Sequence, residues 1–161
     1  MKDYVYLKVE GSKGAVKGES QDTRHEGEID LLSWSWGMRS PRDLATRGAS
    51  GRVAYGDLVV EKQIDAASTG LMTLLATNDE IRKAVVSVRR SATDTGDYLV
   101  ITLGKAVLTS IELAQQPGSE ARMVERISLA YETIEISYHG QNTKGDKKGS
   151  STFVGTAGSV K

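Results

Sequence analysis

Two histidines and no cysteine set the chemical limits of this 161-residue chain. Without a thiol there is no disulfide, no thiolate nucleophile and no cysteine-based zinc site. The densest group of reactive side chains surrounds His25: Asp22 precedes it, and Glu26, Glu28 and Asp30 follow. On a strand, residues two apart share a face, so Glu26, Glu28 and Asp30 would line up as three carboxylates beside an imidazole. Such a set suits acid–base work or a metal, but it supplies only one nitrogen. His139 falls in a turn far along the chain, and no His-Glu-x-x-His occurs. The favoured reading is the solvated start of a strand, with no metal and no other cofactor.

The remaining motifs point away from catalysis. Gly48-Ala49-Ser50-Gly51 is one residue short of a nucleophile elbow. The stretch 140–147 has the glycines of a phosphate loop, but Asp146 stands where lysine is needed and no helix follows. A carboxylate hydrolase using Glu26, Glu28 or Asp30 stays open only because paired carboxylates need no sequence signature; the expectation is that the chain is not an enzyme. Residues 38–52 gather Arg39, Arg42, Arg47 and Arg52 against a single acid, Asp43. No aromatic is interleaved, so stacking on bases is unsupported. Over the whole chain 21 basic side chains balance 21 acidic ones, which argues against nucleic acid and against a polybasic membrane anchor. Arg39, Arg42, Asp43 and Arg47 around a central Leu44 suit a protein–protein arm. A plain solvated loop is the competing reading.

These residues need a framework, and the apolar pattern is that of strands. Val5, Leu7 and Val9 alternate with Tyr6, Lys8 and Glu10. Residues 26–37 hold both tryptophans. By parity Leu32, Trp34 and Trp36 share one face, with Trp34 and Trp36 as core anchors; Ile29, Leu31, Ser33 and Ser35 share the other. Residues 38–51 show no periodicity, the mark of a functional or disordered loop. A strand over 52–64 switches parity at Gly56-Asp57, which reads as a bulge. Ser68 is placed to cap a helix that runs to about Asn78 with Leu71, Met72, Leu74 and Leu75 on its inner face. Strands follow over 83–90, 98–113 (kinked at Gly104-Lys105) and 123–138 (with a parity change). Residues 139–151 are rich in glycine and lysine, and 152–160 form an edge strand or a tail. The pattern predicts a mainly β, antiparallel barrel or sandwich. It forms one domain over 1–161, with an extended loop at about 38–52. The first ten residues lack an apolar signal core and no run is long enough to span a bilayer. A protein made and folded in the cytoplasm is expected.

In order along the chain, Val5-Tyr6-Leu7-Lys8-Val9, Lys17-Gly18-Glu19-Ser20 and the Trp34-Ser35-Trp36 strand resemble the haemolysin-coregulated protein (Hcp) family of bacterial type VI secretion. So do Asp57-Leu58 with Glu61-Lys62-Gln63-Ile64-Asp65 and Ala67-Ser68, then residues 84–90, 98–103 with 107–111, and 126–138. The resemblance covers about 4–138. It implies an antiparallel β-barrel of two packed sheets with one short α-helix on the side. It further implies hexameric rings stacked into a tube inside a contractile sheath, with effectors held in the ring lumen. The implied partners are further copies of the chain, sheath and baseplate proteins, a VgrG-type spike protein and the secreted effectors. Neither nucleic acid nor membrane insertion is implied, and export needs no signal peptide. By the same resemblance Ser35, with Ser33 on its face, looks into the lumen, and the loop with Arg39, Arg42, Asp43, Leu44 and Arg47 reaches a neighbouring protomer or ring. The chain departs from the family pattern at Gly14-Ala15-Val16, which is inserted, at Thr69, where many members have proline, and past Tyr138, where Phe153 replaces a tryptophan-bearing last strand. No length is left for a fused toxin domain. The alternative is a monomeric β-barrel that encloses a small ligand, with Trp34 and Trp36 as walls.

Overall fold

The alternation at the start of the chain forms strand β1 (Tyr4–Gly11), which buries Leu7 and Val9 on the expected face. A computed structural model describes residues 4–43, 48–49, 53–90, 96–118, 122–141 and 147–158. After β1 come β2 (Gly14–Ala15), β3 (Ile29–Leu31) and β4 (Ser33–Ser35). Four two-residue strands follow: β5 (Met38–Arg39), β6 (Arg42–Asp43), β7 (Gly48–Ala49) and β8 (Ala54–Tyr55). Then β9 (Leu58–Gln63) leads to helix α1 (Ser68–Ala76), and β10 (Ile81–Arg89), β11 (Leu99–Gln116), β12 (Arg122–Gln141) and β13 (Lys147–Thr156) complete the order.

The main sheet runs β2-β1-β10-β11-β12-β9-β4 with every pairing antiparallel; β13 joins β12, and β3 joins β1. The last two facts matter together. Ile29–Leu31 pairs with β1, whereas Ser33–Ser35, two residues on, pairs with β9. The ladder ends at β4 and is not closed by strand pairing; the covalent step from Leu31 to Ser33 alone carries the chain from the β1 flank to the β9 flank. This is the barrel-like antiparallel fold that the strand pattern and the family resemblance predict, with α1 packed beside β11.

A sheet curls this tightly only if its long strands bend. In β11 the bend is at Gly104-Lys105, where Lys105 has φ 49°. A Cβ on Gly104 would lie 2.4 Å from the Thr133 hydroxyl of β12, so a larger residue there would force that side chain to move. Directly across, the inward parity of β12 changes between Tyr131 and Ile134, and both are buried. A bulge at Leu108/Ser110 adds a second bend. Inside, Leu7, Val9, Ile29, Leu58, Val60, Leu71, Ile81, Val86, Ile101, Leu103, Ile127, Leu129 and Ile134 are at most 1% exposed. Each such side chain contributes about 1.5–3 kcal/mol by leaving water.

Four sequence expectations are corrected. The loop over 38–51 is, where described, a two-stranded ribbon outside the main sheet: β5 pairs β8, and β6 pairs β7. The switch at Gly56-Asp57 is therefore the boundary between ribbon and sheet rather than a bulge within one strand. Ser68 does not cap α1: the cap position is Ala67, with no side-chain hydrogen bond. Asp65 instead accepts from the Ala67 amide (2.9 Å), and the Ser68 hydroxyl turns inward. The weak C-terminal stretch is the edge strand β13, starting at Lys147, ahead of the expected 152.

Candidate functional site: the switching strand and its arm

The segment 29–35 carries the residues singled out from sequence, and its change of partner decides where they point. Strict alternation would set Ile29 and Leu31 against Trp34 and Trp36. Instead Ile29 is buried, and Leu31, Trp34 and Trp36 all pack on the core, while Leu32 is 41% exposed. The parity resets at Leu32, whose amide donates to Glu61 O at 2.7 Å as the chain transfers from β1 to β9. Ser33 and Ser35 thus face outward and are exposed; Ser33 Oγ donates to Glu61 Oε2 at 3.4 Å. The serines lie opposite the tryptophans as expected, but Ile29 and Leu31 do not share their face.

Trp36 does more than fill space. Its Nε1–H donates to Tyr131 Oη at 2.5 Å, and the tyrosine hydroxyl donates to Gly56 O at 2.7 Å. Gly56 N–H in turn donates to Gly37 O at 2.9 Å. Gly37 and Gly56 are the two feet of the arm, so a partly buried hydrogen-bonded chain bolts its root to β12. Burial pushes the Tyr131 phenol up, which keeps it a neutral donor. The Tyr55 ring covers Gly155 of β13 so closely that a Cβ there would lie 2.9 Å from it. From this root the arm leaves with Met38 and Arg39 exposed, and Arg42 and Asp43 form β6. Leu44 and Arg47 lie outside the described residues.

Two polar clusters stand out, the first unread from the sequence and the second read only in part. At the start of α1, Lys62 is fully buried and its ammonium donates to Glu125 Oε2 (2.6 Å), Asp65 Oδ1 (2.8 Å) and Ser68 Oγ (3.0 Å). Three N–H donors meet three acceptors. Ser68 Oγ also donates to Glu125 Oε2 at 2.7 Å. A signal was available: Lys62 follows Leu58 and Val60 at period two, and Glu125 precedes Ile127 and Leu129 in the same way. Charged residues at inward parity on two strands must find each other.

The second cluster overturns the solvated reading of His25. The strand begins only at Ile29, so Glu26, Glu28 and Asp30 do not line up; Glu26 and Asp30 are exposed. His25 is 7% exposed and stacked on Tyr6 at 4.4 Å. Its Nδ1 lies 3.0 Å from Glu28 Oε2 and its Nε2 3.0 Å from Asp97 Oδ1. Both ring nitrogens are thus committed to carboxylates inside the fold. Beside them Arg89 binds Asp22 through both terminal nitrogens and donates to Tyr6 Oη at 3.3 Å. The Arg89 hydrogen bond, opposed by burial, holds the Asp22 carboxyl down at about 2. Among the described residues no group of three or more His, Asp or Glu side chains could hold a metal ion, and no helix is long and apolar enough to cross a membrane.

The structure thus joins a barrel-like antiparallel sheet and a side helix to exposed serines on a switching strand and a ribbon tied at its root. The model of the Hcp effector of the type VI secretion system matches residues 6–138, and the chain belongs to that family. It is 32% identical over 139 residues to Protein hcp1 of Pseudomonas aeruginosa, covering 84% of this chain and 85% of that one. Among solved structures, a type six secretion system protein superposes with a TM-score of 0.84 at 22% identity, over 96% of both chains. Hcp1 from Salmonella typhimurium gives 0.75 at 24% identity, over 98% of this chain and 96% of that one. At these identities the two structural likenesses speak for the fold.

Proposed function

We propose that this chain, as one domain over 1–161, is the subunit of a type VI secretion inner tube. Copies close into hexameric rings, rings stack, and sheath contraction expels the tube with effectors held in the lumen. Its partners on this reading are further copies, sheath and baseplate proteins, a VgrG-type spike protein and the effectors. It assembles in the cytoplasm and leaves without a signal peptide. The observation that supports this best is the arm. A two-stranded ribbon outside the main sheet, with exposed Met38 and Arg39 and a root tied by the Trp36–Tyr131–Gly56 chain, has no use in a barrel that merely holds a small ligand.

Deleting residues 43–49 is expected to abolish rings while leaving the barrel folded, because the arm shares no ladder with the main sheet. Size exclusion with light scattering, backed by negative-stain images, checks this; rings of unchanged size and stability would sink the arm's role. For the lumen, Ser35→Gln is expected to leave rings intact, since Ser35 is exposed. Retention of a co-expressed effector should fall at least several-fold. Unchanged retention would move the cargo surface away from Ser33 and Ser35.

A further inference from the structure

The face that carries Ser33 and Ser35 does not end at β4. Pairing continues it across β9, β12 and β11 in two rows. Level with Ser35 stand Val59, Ser128 and Ser110; level with Ser33 stand Glu61, Arg126 and Glu112. Directly paired residues point to the same side of a sheet. The opposite side is the core, where Leu58, Val60, Ile127 and Leu129 are buried. Both rows therefore look outward with the serines. Arg126 and Glu112 are exposed, and Glu61 is half-buried.

The first row offers three hydroxyls around a half-buried valine and little apolar surface. The charged row beside it is what can tell one partner from another. Arg126 has a carboxylate directly opposite on each side, Glu61 and Glu112, at Cβ separations of about 4.5–5.5 Å. Its charge is outweighed. Asp57, two residues before Val59 and on the same side of β9, adds a third exposed carboxylate. The Thr109 hydroxyl donates to its Oδ2 at 2.9 Å and holds it beside the Ser110 end of the first row. Three acids thus surround one base here, on a chain whose 21 basic side chains balance 21 acidic ones. The other lysines and arginines of these four strands stand elsewhere: Lys62 is in the core, and Arg122 and Lys105 lie beyond the two rows, as do Glu132 and Glu135.

We propose that this face selects cargo by charge, holding effectors whose contacting surface is basic and disfavouring acidic ones. This rests on the reading of Ser33 and Ser35 as the cargo surface and names the class of cargo. Copies that close into a ring bring the same face round one lumen. Potentials of one sign add in such an enclosure, so the imbalance of each copy is reinforced by its neighbours. Acidic cargo meets like charge there, which costs binding.

Fluorescein-labelled oligolysine and oligoglutamate of equal length test it, read by fluorescence anisotropy on the full chain. At low salt oligolysine is expected to bind at least about tenfold more tightly than oligoglutamate, with the difference shrinking as salt screens it. Two variants should move the affinity in opposite directions. Glu61→Gln with Glu112→Gln is expected to weaken oligolysine binding at least about fivefold, and Arg126→Gln to strengthen it. A merely structural disturbance would not give opposite signs. Glu112 and Arg126 are exposed, so the barrel should survive, as circular dichroism would check. If the double variant does not fold, Glu112→Gln alone replaces it, with a smaller loss expected. Equal binding of the two peptides, or affinities that neither variant changes, overturns the proposal. Light scattering on the same samples separates the two ways of failing. Rings without a charge preference overturn the selection and leave the tube subunit standing. No rings at all overturns the tube subunit, and the cargo selection with it.

Discussion

Replacing Lys62 by methionine is expected to destabilise the protein by about 3–5 kcal/mol, the cost of leaving one member of a buried ion pair without the other. Lys62 and Glu125 are both fully buried, and the ammonium is the only cation that Glu125 Oε2 touches among the described residues. Glu125 Oε1 has no hydrogen-bond partner among them, so the carboxylate depends on Lys62 heavily. Methionine keeps most of the stem's packing, which isolates the loss of charge. Urea unfolding followed by circular dichroism measures the effect. The double variant Lys62→Met, Glu125→Met is expected to recover most of the loss, because the fully buried carboxylate is then gone as well and the remaining partner, Asp65, still reaches solvent. A single variant within about 1 kcal/mol of the unaltered chain would show that water reaches the pair and screens it.

Asp22→Asn carries the second large effect, about 1.5–3 kcal/mol at neutral pH, the range for hydrogen bonds to charged groups. Arg89 is 2% exposed and Asp22 is its carboxylate partner, while Asp22 itself stays partly open to solvent. The pH dependence has a definite sign. The Asp22 carboxyl is held at about 2 in the fold against the ordinary 3.8. A carboxylate with a lowered folded value adds stability that is complete above the unfolded value and is lost as pH falls through the folded one. The gap between the unaltered chain and Asp22→Asn should therefore be constant from pH 7 down to about 5 and close between about 4 and 2. A gap that stays open at pH 2 would mean that the amide disturbs packing rather than charge.

Much of the framework was legible in the chain itself. The alternation of Val5, Leu7 and Val9, the helical spacing of Leu71, Leu74 and Leu75, and the kink at Gly104-Lys105 are local signals. Their structures are local too, and the parity change late in β12 falls where the run of isoleucines shifts by one. The match of many short stretches in one order was enough to name the family. What failed did so where a residue's surroundings come from distant strands. Parity is a property of one strand with one set of neighbours, and 29–35 changes neighbours at Leu32, so alternation misplaced Ile29 and Leu31. Ser68 has the composition of a helix cap, but a buried ammonium and carboxylate compete for its hydroxyl and take it. His25 looked solvated because Tyr6 and Asp97, which enclose it, lie far from it in sequence. The arm gave no periodic signal, and its described start, Met38 and Arg39, is exposed, with no buried face there to impose one.

The sequence by itself determined the strands, the helix, the absence of thiol chemistry and the kinship with the type VI secretion proteins, because these follow from short-range pattern and composition. Only the tertiary structure decided which way the switching strand turns its serines, how Trp36 and Tyr131 bolt the arm, and which charges are buried together. Those outcomes depend on pairings between residues as far apart as Lys62 and Glu125 or Trp36 and Tyr131. No local pattern carries that information, since the same alternation of side chains fits any partner strand until packing selects one.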